Sequence, residues 1–362
     1  MDHLNVVFDL DDTLMPNRWR YGKAGCRAGC IIVEALGKAS RAGSAERARY
    51  ELTAASFRCG LTLVEALGND SPYGADLLKI ARGSYSMGNG RIDPDAFRQS
   101  WIKIYEWICS QRKREIDPEI IVRLQKITSK FSRASYRALF SQMDSAGLAF
   151  YGVELLMLQS QIDGTLIEAY GFSQNRFPDS WASAYEVVCA DAGLQPDPKV
   201  RKRVQHAAAG FRRGPFRAFP DAIEALHRIQ EMGHALHLVT AGEKRLQRRK
   251  IKQSGLELFF QDRIHIVERD KRLVLKTIAN GQPKRTVMVG DSLKSDVSAA
   301  VDAGVRAVHI PTAGHWVYED ATVDKEAYVQ IESIQSLPEL LSGFVAPDTT
   351  KKRRVRKMRT RA

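Results

Sequence analysis

The apolar positions of this chain follow two rhythms, and the points where one gives way to the other divide it. Val6, Val7 and Phe8 form an unbroken apolar run that stops at Asp9. A run of this length and make-up predicts a strand buried on both faces. Residues 4–9 are therefore expected to be a strand, with Asp9 where it ends and Asp11 and Thr13 on the loop beyond. From there to about residue 215 helical spacing takes over. Phe97, Trp101, Ile104 and Ile108 recur at steps of four, three and four behind Asp93-Pro94-Asp95. A carboxylate before proline is a helix start, since proline lacks an N–H that the first turn could not pair anyway. Asp117-Pro118-Glu119 opens a second helix, with Ile120, Ile121, Leu124 and Ile127 on one face, and Asp197-Pro198 opens another. Pro178-Asp179 reads as the start of a helix carrying Trp181, Tyr185 and Val188, which Gly193 ends. Loops are expected at residues 68–72 and 83–90; within the latter, Gly88-Asn89-Gly90 lacks the third glycine and the preceding strand of a phosphate loop.

From Phe219 the pattern alternates between strand and helix. Strands are expected at residues 234–240, 263–267, 285–289 and 306–310. Helices are expected from Pro220 to Gly233, at 243–253, near 273–279 and at 293–303. Short connections between such elements mean a parallel sheet covered on both faces. The expected fold is therefore α/β, a doubly wound parallel sheet with a large inserted α-helical domain. Residues 1–15 supply the first strand and its loop, 16–215 the inserted helical domain, 216–345 the rest of the sheet, and 346–362 a disordered tail.

The chain has 362 residues, 44% of them hydrophobic, enough to bury one large core or two ordinary ones. The longest apolar run, 148–158, contains Glu154 and is too short to cross a bilayer. No basic segment precedes an apolar run at the start, so no signal peptide is expected. Five cysteines, an odd number, do not make a disulfide framework, and Cys26 and Cys30 have no further ligands at metal spacing. Buried thiols in a reducing cytoplasm are expected, with no membrane partner. The net charge of +13 is uneven: residues 351–362 hold eight cations and no acid, leaving +5 for the rest. Such a tail attracts nucleic acid or an acidic partner weakly, through counterion release, unless it is simply a solvated end.

Asp9 and Asp11 would repel as anions, so either one is protonated or a cation lies between them. At the carboxyl edge of an open sheet, where ligands bind, the pair suggests a nucleophile beside an acid/base, with a metal. An acidic surface turn is the plain alternative. Thr240 ends the second strand and Gly290-Asp291 the fourth, while Asp296 starts the following helix. Alone, these would be a turn former, an N-cap and a helix-dipole partner. Arg269-Asp270-Lys271-Arg272, past the third strand, would be a solvated charge run.

Together and in this order, Asp9-Leu10-Asp11-Asp12-Thr13, Thr240, Lys271 and Gly290-Asp291 to Asp296 resemble the four motifs of the haloacid dehalogenase superfamily. The resemblance covers residues 4–14 and roughly 219–312, and a helical cap between the first and second motifs is one of that superfamily's layouts. It implies that Asp9 attacks phosphorus to give an aspartyl-phosphate and that Asp11 is the acid, then the base. It further implies that Thr240 and Lys271 hold the phosphoryl oxygens, with Lys276 the alternative lysine. Mg²⁺ would be held by Asp9, the backbone carbonyl of Asp11, Asp291 and Asp296, a set of hard oxygens. The implied activity is Mg²⁺-dependent hydrolysis of a small phosphorylated metabolite. A dehalogenase would have no use for Asp11 as acid. A phosphomutase or related phosphotransferase remains open, as does a catalytically idle protein whose tail binds polyanions. Arg18, Arg20 and Lys23 on the outgoing linker, and Arg212, Arg213 and Arg217 on the return, are expected beside the crevice or simply solvated.

Overall fold

In the computed structural model, residues 3–68, 94–132, 145–312 and 321–345 are described, with single positions at 77, 134, 136 and 138. The loops expected around 69–72 and 83–90 and the tail after 346 lie outside them, as does Gly88-Asn89-Gly90.

Val6, Val7 and Phe8 are wholly buried in β1 (Asn5–Phe8), the centre of a parallel six-stranded sheet. Its neighbours are β2 (Ala235–Ala241) and β4 (Thr286–Gly290); β3 (Ile264–Val267) flanks β2, and β5 (Arg306–His309) and β6 (Val329–Gln330) follow β4. Alternation places Val6 and Phe8 in a larger apolar cluster and Val7 in a smaller one, on opposite faces. Burying a side chain such as Phe8 stabilises by about 1.5–3 kcal/mol. Phe8 lies opposite both Leu238 and Val289, so Asp9, Thr240 and Asp291, one or two residues further along their strands, reach the same edge of the sheet. The two-residue β6 carries no apolar run and was not foreseen.

Between β1 and β2 the chain is helical: α1 (Arg18–Ala39), α2 (Ala45–Leu67), α3 (Pro94–Gln111), α4 (Pro118–Thr128), α5 (Ser145–Tyr170), α6 (Arg176–Asp191), α7 (Pro198–Ala208) and α8 (Pro220–Glu231). Asp117 and Asp197 cap α4 and α7 through the N–H groups of Glu119 and Lys199. α6 begins at Arg176, two residues before the expected start, because Pro178 still falls in the first turn, whose N–H groups need no helical partner. α1 and α2 approach so closely that a Cβ on Gly29 would come within 2.5 Å of the Phe57 ring. After the helical stretch, Phe219 N–H donates to Leu14 O at 2.9 Å, bringing the return to the point of departure.

Past β2 come α9 (Lys244–Ser254), the single turn α10 (Glu257–Phe260), α11 (Arg272–Ala279), α12 (Ala299–Ala303) and α13 (Leu337–Val345). Residues of α8, α10 and α13 join the larger cluster, and those of α11 and α12 the smaller, so helices cover both faces. The helix expected at 293–303 opens as a π-type turn, Leu293–Ser298, before α12.

Candidate active site

β1 delivers Asp9 to the carboxyl edge of the sheet, where its N–H still pairs with Val289 O at 2.9 Å. The chain then folds back on itself: Asp12 N–H donates to Met15 O, and Leu14 and Met15 N–H to Leu10 O. Asp12 adopts a left-handed φ of 60°, and its Oδ1 accepts from the N–H groups of Asn17 and Arg18 at 2.8 and 3.0 Å. This tight loop caps the start of α1 and leaves Asp11 facing the crevice.

Lys271, at the N-cap of α11, is 3% exposed. Its Nζ donates to Asp9 Oδ1 at 2.5 Å and to Asp296 Oδ1 at 2.6 Å. Lys276 is exposed in the last turn of α11 and does not line the crevice. Ser292, rather than Asp291, caps the turn after β4 through Ser295 N–H at 2.8 Å. Asp296 Oδ2 accepts from Ser292 N–H at 3.1 Å and packs on Gly290, where an added Cβ would lie 2.1 Å from it. Only glycine fits there. Asp291 accepts from Arg18 Nη2 at 2.8 Å, Thr312 at 3.3 Å and Thr13 at 3.4 Å.

Two further side chains meet Asp11. Lys250 Nζ, 2% exposed, donates to both its oxygens at 2.7 and 2.9 Å. Gln247 Nε2 donates to Thr240 Oγ1 at 2.7 Å and to Asp11 Oδ2 at 3.2 Å. Neither was foreseen. Six cations crowd α9, which reads as a solvated face. The available signal was that Gln247 and Lys250 lie on the same stripe as the buried Leu246 and Ile251.

An oxygen from each of Asp9, Asp291 and Asp296 lies within 4.8 Å of the others. Burial pushes the Asp9 carboxyl up to about 7, against the pull of Lys271 and helped by Asp296 and Asp11. Asp291 is also raised well above the ordinary carboxylate range, by burial first and then by Asp12, Asp296 and Asp9, with Arg18 opposing. Burial works against the charge on Lys271, but Asp296 and Asp9 outweigh it and raise the group. Carboxylates held this close resist ionising together unless a cation joins them. The donors are all hard oxygens, and no histidine or cysteine lines the cavity among the described residues, so the set fits Mg²⁺. The Asp11 side chain stands apart from this cluster, on Lys250.

The cavity over these groups measures about 170 Å³. Its far wall comes from the helical stretch: Tyr21, Asp163, Phe172, Arg176, Phe177 and Phe211. Tyr21 stacks on Phe211 at 4.4 Å and meets the Phe177 ring edge-on at 4.9 Å, while Arg176 and Asp163 form a buried ion pair. Of the linker cations expected here, only Arg18 reaches the crevice; Arg20, Lys23, Arg213 and Arg217 line a different hollow, and Arg212 lines neither. α1 turns successive residues to different sides, so neighbours on the linker do not share a destination.

Residues 165–304 match the family model of the haloacid dehalogenase-like hydrolases. Over that stretch, 140 of its 362 residues, the chain is similar to the haloacid dehalogenase-like hydrolases. The matched segment holds Thr240, Lys271, Asp291 and Asp296, and β1 brings Asp9 and Asp11 to them. Among curated relatives, the glyceraldehyde 3-phosphate phosphatase of Methanopyrus kandleri is 27% identical over 139 residues, 35% of this chain and 57% of that protein. The match thus spans little more than half of that relative. Among solved structures, a haloacid dehalogenase-like hydrolase from Xanthomonas campestris shares 19% identity over 53% of this chain and 89% of its own, with a TM-score of 0.42. A predicted phosphoglycolate phosphatase from Haemophilus somnus shares 12% over 94% and 99%, with a TM-score of 0.35. No helix among the described residues is long and apolar enough to cross a membrane.

Proposed function

We propose that this hydrolase is a Mg²⁺-dependent phosphatase that cleaves a small phosphorylated metabolite through an aspartyl-phosphate on Asp9. The observation that carries the reading is the division of labour between two carboxylates in one crevice: Asp9 on Lys271 and Asp11 on Lys250. A displacement at carbon would need only the first. The phosphatase relative supports the same choice.

Asp9 Oδ1 is occupied by Lys271, which leaves the other oxygen to attack phosphorus. Asp11, held by Lys250 and Gln247, gives its proton to the departing alkoxide, then takes one from the water that attacks the phosphoenzyme. Gln247 donates to Thr240 Oγ1, so the threonine O–H is left to bind a phosphoryl oxygen. Lys271 offsets the charge that builds there. Bound at Asp9, Asp291, Asp296 and the Asp11 carbonyl, Mg²⁺ would supply further positive charge to the phosphoryl oxygens.

Helices α1–α7 are read as a cap whose aromatic wall excludes water and selects the alcohol part of the substrate. All five cysteines are free, which suits a reducing compartment such as the cytoplasm. The test is hydrolysis of an aryl phosphate with Mg²⁺ and with chelator, followed by a phosphometabolite screen. Metal-dependent release of phosphate is expected. No release from any phosphoester would overturn the reading.

A further inference from the structure

The cations that do not reach the crevice gather elsewhere. Arg20, Lys23, Arg27, Arg213 and Arg217, with Trp19, line a hollow of about 390 Å³. It lies where the chain leaves the Asp9 loop and where it returns from the helices, and no carboxylate is among its described lining residues. Glu65, outside the lining, pairs with Lys23 at 3.1 Å and Arg27 at 2.9 Å and offsets part of the charge. Arg213 and Arg217 are exposed and have no carboxylate partner among the described residues.

Arg20 is the built part of this hollow. It is 9% exposed, with its guanidinium over the Trp19 ring at 4.8 Å and the Phe216 ring at 4.5 Å. Its two terminal nitrogens donate to the carbonyls of Arg213, at 2.6 Å, and Pro215, and its Nε has no partner. Neutral carbonyls satisfy the N–H groups without cancelling the charge. A concave surface with cations from two converging segments and no lining acid concentrates anions. Guanidinium groups favour phosphate oxygens, which they bind through paired N–H groups.

We propose that this hollow is an anion site, separate from the catalytic crevice, for a small ligand carrying two or more phosphate groups. The occupant touches both linkers at once and so ties the departure of the chain to its return. The proposal stands independently of the phosphatase reading.

Methylenebisphosphonate is a suitable probe, because it has no P–O–P bond to cleave. It is titrated calorimetrically against the full chain at low ionic strength without divalent metal. Wild type should bind it with an affinity that falls as salt rises. Arg213→Ala/Arg217→Ala should bind at least about tenfold more weakly. Its kcat/KM on an aryl phosphate should stay at the wild-type value. Arg217→Glu alone, at an exposed position, should also weaken binding, and Asp9→Asn should leave it intact. Wild-type binding by the double variant would overturn the proposal, and so would loss of binding in Asp9→Asn, which would place the ligand in the crevice. If the double variant loses a single-stranded RNA but keeps the bisphosphonate, the surface serves nucleic acid and the proposal fails.

Discussion

Asp9 and Asp11 each have their own lysine, and the lysines come from different helices. Lys271 ties Asp9 to Asp296, and Lys250 grips both oxygens of Asp11. Lys250→Met should keep the volume while freeing Asp11 to turn away from the leaving group. Positioned acid catalysis is worth about 10²–10⁴-fold. The loss in kcat/KM should therefore be about a hundredfold on alkyl phosphates, whose alkoxides need a proton, and much smaller on an aryl phosphate with a good leaving group. Equal losses on both substrates would mean that Lys250 is only structural. At this scale the sequence was readable where residues sit at or just past strand ends, as Asp9, Thr240 and Asp291 do, whereas Lys271, at a helix start four residues past β3, had Lys276 as its alternative. Lys250 was not readable, because its charge resembles that of its solvated neighbours and only tertiary packing buries it.

The strands were readable as elements for the same reason that the site was. Buried or half-buried in the sheet, they appear as short, largely apolar stretches, and β2, β3, β4 and β5 fall within a residue or so of their expected bounds. The π-type turn was not readable, since Asp296 and Val297 N–H both reach Ser292 O, a detail of backbone pairing that no residue type announces. Adjacent strands also place His237 of β2 over His265 of β3, ring centroids 6.3 Å apart. Burial lowers His237 to about 4, helped by Arg263 and His265, with Asp262 opposing. The ordinary histidine value is about 6.5, so the folded state holds fewer protons than the unfolded one below that pH. Stability is thus full above about 6.5 and declines as pH falls towards about 4. His237→Gln should flatten part of that decline in denaturant melts from pH 7 to 4. An unchanged slope would show that other groups carry the acid sensitivity.

For the whole molecule, the sequence indicated a helical insertion but not the shape of its contact with the sheet. Tyr21, Asp163, Arg176 and Phe211 meet over Asp9 and Asp11 although they are far apart along the chain. Their convergence depends on how α1, α5, α6 and the turn after α7 (Ala209–Arg212) pack, which periodicity does not encode. The same packing sends Arg18 to Asp291 and Arg20 to the opposite hollow. The crevice, unlike the hollow, bears on the chemistry proposed for Asp9, and one comparison tests that proposal most directly: phosphate release from an aryl phosphate by wild type and by Asp9→Asn, both with Mg²⁺. Asp9→Asn keeps the side-chain shape but removes the proposed nucleophile. Melting near the wild-type temperature with turnover reduced by about a thousandfold or more is the expected result. Turnover at the wild-type rate in a folded Asp9→Asn protein would contradict the account.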